Sequence, residues 1–160
     1  MFLRGTQIRK AGELAVLVVG LAGGRLETET RLQKISFLVD KEVLGGTIEF
    51  KKSEFGPHSE DLDSAVKKLE KEGILDVEVK KDGTVYYYLT EKGEVKFEIV
   101  KVIFGDKKVE RTRQIVTRLK DADIGYVLSY VYVKYPEYFE QDSWSFFEIL
   151  ARKYKYGIPV

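Results

Sequence analysis

Hydrophobic residues recur in this chain with two different periods, and together these predict an α+β fold. Most apolar runs repeat every three to four residues over ten or more positions, as on one face of a helix. Two shorter runs, 75–80 and 84–90, alternate apolar with polar residues. Asp82-Gly83 lies between them, a strong hairpin signal. Glycines at 23–24, 45–46, 73 and 105, with Pro136, cut the helical pattern into segments of ordinary length.

Taken in order, the first helix is expected over 8–21, stopped by Gly23-Gly24. Thr30 and Gln33 are spaced as a capping box for a second helix running to Leu44, with Leu32, Ile35, Leu38 and Val39 as its apolar stripe. The partly alternating stretch 47–55 reads as a short strand. Ser59 is placed to cap a third helix, whose stripe is Leu62, Ala65, Val66 and Leu69 and whose end is Gly73. After the hairpin, helices are expected over 91–104, 108–119, 124–135 and 143–154, the last with Ser145 and Glu148 spaced as a capping box. The order helix, helix, strand, helix, hairpin is that of a winged helix-turn-helix core, with the third helix presented and the β-hairpin as the wing. Residues 1–92 form that unit. Residues 93–160 form a helical extension that packs on it or mediates dimerisation.

Composition narrows the function classes. With 44% hydrophobic residues the chain has material for a core and is not a disordered segment. The 27 basic and 26 acidic residues leave a net charge of +1, which argues against a basic nucleic-acid coat and leaves room only for a local basic patch. The absence of cysteine excludes disulfides, thiolate catalysis and cysteine zinc sites. Asparagine is also absent and 33% of residues are charged, a combination seen in thermophile proteins of the cytoplasm. The apolar run 14–21 is too short to span a bilayer, which takes about 20 residues.

Three runs, RLQKISFL (31–38), EFGPHSEDL (54–62) and LEKEGIL (69–75), resemble in order the pattern of the SocA-like (Panacea) and YwgA-like group of small prokaryotic proteins. KYPEYFEQDSW (134–144) is similar to the Tyr-Pro stretch near the end of YwgA-like chains. The resemblance implies a winged-helix-like fold and does not imply an enzyme, most members having no assigned activity; some SocA-like members act as antitoxins or adaptors through protein contacts. His58 stands where that group commonly has tyrosine.

The turn Gly56-Pro57-His58-Ser59 is expected to be a rigid corner. Pro57 has a fixed φ and no N–H, and Gly56 permits a backbone that other residues resist. His58, the one histidine, reads as an exposed turn residue and not a ligand, because Glu60, Asp61 and Asp63 point in different directions on a helix. Opposite the apolar stripe of the third helix lie Glu60, Ser64, Lys67 and Lys71, with Lys68 at the edge. Asp63 and Lys67 are spaced as an ion pair. With Lys80 and Lys81 at the hairpin tip, Ser64, Lys67, Lys68 and Lys71 are the candidate DNA contacts. The acids at the front of the helix oppose them. A second basic stripe is Lys107, Arg111 and Arg118. The aromatic cluster 126–147 reads first as core, next as a homodimer contact.

No glycine-rich phosphate loop and no catalytic constellation is present, and no cofactor or metal is implied. The expected function is a non-enzymatic regulator of transcription that contacts DNA. The rival is a protein-interaction module, antitoxin-like or adaptor. The surface field discriminates them: a continuous basic face joining third helix and wing favours DNA, an exposed apolar patch favours a protein.

Overall fold

The computed structural model describes residues 3–154 of the chain. Those residues form a mixed α+β structure with seven α-helices and a small three-stranded antiparallel sheet. Its order is α1 (Leu3–Leu21), β1 (Arg25–Glu27), α2 (Glu29–Val39), α3 (Glu60–Lys71), β2 (Leu75–Val79), β3 (Val85–Leu89), α4 (Glu91–Phe104), α5 (Asp106–Leu119), α6 (Ile124–Lys134) and α7 (Trp144–Tyr154). The sheet order is β1-β3-β2. In the hairpin Val77 faces Tyr87 and Val79 faces Val85, while β1 sets Leu26 against Tyr87. None of the helices is long and apolar enough to cross a membrane.

Helix α1 is the axis of the core. Its residues from Leu14 to Val19 are all fully buried, which explains why this run is apolar all round instead of amphipathic. Helices α2 and α3 pack on one part of it and α4 and α5 on another, so residues from both halves of the chain share one apolar core. A close approach makes this possible. A Cβ on Gly20 would lie 2.2 Å from the ring of Phe97, so α4 settles on α1 only because position 20 has no side chain.

Several expected elements differ from those observed. The residues 47–55 are not a strand. Their backbone groups turn elsewhere: Thr47 and Ile48 donate to the Asp40 carboxylate, Lys51 exchanges two hydrogen bonds with His58, and Ser53 pairs with the backbone beside Phe139. The third strand of the sheet is instead β1, three residues that follow Gly23-Gly24. Thr28, not Thr30, caps α2; its hydroxyl accepts from the N–H of Arg31, and Gln33 is released for another task. The last turn of that helix, Asp40–Leu44, is π-helical. Ser145 and Glu148 form no capping box. Ser145 lies inside α7, and Glu148 accepts a hydrogen bond from the Tyr132 hydroxyl. The third helix, the hairpin and α4 have the bounds expected to within two residues, and Ser59 caps α3 by accepting from Leu62 N–H at 3.1 Å.

The corner before α3 is fixed by two demands on one residue. Gly56 has a φ of 101°, and a Cβ there would sit 2.7 Å from the ring of Phe139. Gly56→Ala is therefore expected to lose about 3 kcal/mol, combining backbone strain with overpacking. Pro57→Ala, at an ordinary φ, is expected to lose about 1 kcal/mol through the unfolded chain alone. Urea titration of both variants checks the ranking; equal losses would contradict it.

Candidate functional site

The site is built from the helix that lies behind it. Helix α2 carries Arg31, Gln33, Lys34 and Asp40, all of them at most 4% exposed. A polar group taken out of water must find partners, and each of these does so on another segment's backbone. Gln33 clasps Ser59 at both ends: its oxygen accepts from Ser59 N–H at 2.9 Å and its amide donates to Ser59 C=O at 3.0 Å. Lys34 donates to the carbonyl of Pro57 at 3.1 Å. Together they hold the corner that starts α3.

The front of α3 closes the same network. Gln33 also donates to Asp63 at 3.0 Å, and His58 Nε2 lies 2.7 Å from the other oxygen of Asp63. His58 is thus a half-buried member of a cluster and not a fully exposed turn residue. Asp63 is engaged there instead of forming the expected pair with Lys67. Glu29, His58 and Asp63 bring one ligand atom each to within 4.8 Å of one another, the arrangement among the described residues nearest to a metal site. Two observations weigh against a cation there. Each oxygen of Asp63 already has a partner, and the Lys34 ammonium stands close enough to be stabilised by Glu29 and Asp63. Burial pushes that lysine down to about 8, with the two carboxylates opposing the shift.

Beside this cluster, between α3 and the hairpin, runs a groove of about 360 Å³. Its walls are apolar: Leu32, Leu62, Val66, Val77, Val79 and Val85, with Tyr87 behind them. Its charged rim is Glu29, Asp63 and Glu70, with Lys67 as the one base. Val79 is 67% exposed, so the groove opens to solvent at the end of β2.

The candidate DNA contacts do not form one face. Ser64, Lys67 and Lys71 are exposed on the outer side of α3. Lys68 lies round the helix, over a recess it shares with Ile8, Gly12 and Glu72 next to α1. Lys80 is occupied by Glu78 at 3.1 Å and lies over the Tyr86 ring at 5.3 Å. Lys81 remains exposed at the hairpin tip. In the second stripe, Arg111 donates to the carbonyl of Glu42, and Arg118 reaches the Tyr126 hydroxyl at 3.3 Å and the Tyr130 ring at 4.8 Å.

The aromatic residues of the C-terminal half mostly pack together. Phe139 and Phe147 are buried with ring centroids 4.7 Å apart, Tyr132 is buried against both, and Trp144 is half-buried with its indole N–H donating to Phe139 C=O. Phe146 and Ile149 face outward.

No family model matches the chain, and no curated protein matches it.

The buried lysine makes a pH prediction. In the unfolded chain its amine titrates near the ordinary lysine value of 10.5, in the fold near 8. Folding then favours the neutral amine, so its penalty is complete below pH 8 and disappears as pH rises toward 10.5. Lys34→Met should abolish a rise in stability on the order of 3 kcal/mol between those limits. Denaturation of both proteins at pH 7 and pH 10 measures the difference, which also subtracts the tyrosines that begin to titrate there.

Proposed function

We propose that this chain is a non-enzymatic binding module with a winged helix-turn-helix core, and that it binds a protein segment in the groove between α3 and the β2–β3 hairpin. The fold reading is supported by the order α1–β1–α2–α3–β2–β3 and by the pairing of β1 with β3 in one sheet with the hairpin. The binding reading is carried by one observation: the surface joining helix and hairpin is apolar in its walls and acidic at its rim. Contiguous exposed apolar surface edged by charge marks protein contact more than nucleic-acid contact. A rim with Glu29, Asp63 and Glu70 repels phosphates and selects a segment that carries apolar side chains and a lysine or arginine. The resemblance to SocA-like adaptors and antitoxins points the same way.

The second reading, a DNA-contacting regulator, is favoured by Lys67 and Lys71 on the outer face of α3 and by Lys81 at the wing tip. One experiment separates the two. Peptides selected from a random library against the native protein are counter-screened on Val66→Glu, and duplex DNA is titrated at two salt concentrations. Protein binding predicts basic-apolar peptides that are lost on Val66→Glu. DNA binding predicts affinity that falls steeply with salt and weakens when Lys67, Lys71 and Lys81 are changed to glutamine. DNA affinity of that kind, without groove-dependent peptides, would reverse the order of the readings.

A further inference from the structure

Helix α4 buries Gly93, Phe97 and Val100 against the body of the protein. On its opposite side it presents Val95, Ile99, Val102 and Ile103 to solvent, between 50% and 82% exposed. Four β-branched residues on a solvent face contribute neither helix propensity nor burial, so their presence calls for something that covers them. Val95, Ile99 and Val102 follow the spacing of a coiled-coil seam, d, a and d.

We propose that this face of α4 is the contact between two copies of the chain, paired about a two-fold axis with their α4 helices parallel. Charge on either side of the seam identifies the occupant and its direction. On one side lies a hollow of about 510 Å³ edged by Lys92 and Lys96 with Glu72. On the other lies a hollow of about 500 Å³ edged by Glu98, Asp106 and Glu110 with Lys101 and Arg113. Bases outnumber acids on the first side, and acids outnumber bases on the second. A two-fold axis along the helix sets the basic side of each copy against the acidic side of the other. An antiparallel pair would set like against like. In the parallel register Glu91, at a g position, faces Lys96, at an e position of the second copy. None of the α4 residues of this contact lines the α3–hairpin groove.

The chain has no cysteine, so single introduced cysteines report the pairing directly. Lys92→Cys and Val102→Cys, about 15 Å apart along the helix, should each cross-link to themselves under mild oxidation. Sedimentation should give a dimer for the native chain. Val102→Glu, at a position 82% exposed and so harmless to the fold, should raise the dissociation constant at least tenfold. Glu91→Lys should weaken the dimer and Glu91→Lys with Lys96→Glu should restore it. A native monomer at every concentration overturns the proposal. So does a dimer indifferent to Val102→Glu, which would place the contact elsewhere, or cross-linking only when the two cysteine variants are mixed, which would make the helices antiparallel.

Discussion

Buried polar groups are seldom left without a hydrogen bond, and although Ser36 Oγ on α2 has no partner among the described residues, the four charged or amide groups buried beside it organise the protein. Leaving one such group unsatisfied costs about 1–3 kcal/mol, more when it is charged. Arg31, Gln33, Lys34 and Asp40 are satisfied by other segments, mostly at helix ends and in the irregular stretch between α2 and α3. Arg31 donates to the carbonyls of Leu119 and Ala122, at the end of α5. Gln33 and Lys34 hold the Pro57–Ser59 corner. The Asp40 carboxylate accepts from Thr47 and Ile48. One helix and its π-helical end thereby fix two connections, the α5–α6 turn and, at two points, the long segment between α2 and α3, which keeps its place without a strand ladder.

The consequence reaches the surface. Because Gln33 holds both the N–H and the C=O of Ser59, the residue that caps α3 cannot shift without breaking two buried hydrogen bonds. Because Gly56 lies against the Phe139 ring, the corner is also braced by the C-terminal half. The direction of α3 and the width of the groove beside it are therefore set by the interior. A segment of the proposed kind would meet a helix wall already held in place, and would lose little affinity to ordering it.

The helices, the hairpin and the Ser59 cap were legible because each depends on neighbours in sequence. Periodicity, a turn dipeptide and a hydroxyl three residues from its N–H are local signals. What escaped depends on distant partners. Nothing in 47–55 reveals that its N–H groups go to Asp40 and to His58. The apparent capping pair Thr30 and Gln33 satisfied the spacing rule, yet Gln33 had a stronger claim on it from Ser59, 26 residues away. Asp63 was lost to Lys67 for the same reason. Strand β1 is only three residues long and shows as a strand only once β3 is beside it. The groove had a partial signal in Val79, an apolar residue of the hairpin that the core does not bury. The clasp itself had one too, since Arg31, Gln33 and Lys34 fall within a run whose other residues, Ser36 apart, are apolar.

The clasp also decides how far the family resemblance reaches. The run RLQKISFL is the run of α2 that is entirely buried, and EFGPHSEDL contains the corner it holds. Residues selected for holding a corner specify a fold, and different surfaces can be built on the same fold. The outer side of α3, the hairpin and the solvent face of α4 make no contact with the clasp. Those are the positions where Val79, Lys67 and the Val95–Val102 seam lie. The choice between a protein and DNA rests on the groove, where apolar walls and three carboxylates outweigh one lysine.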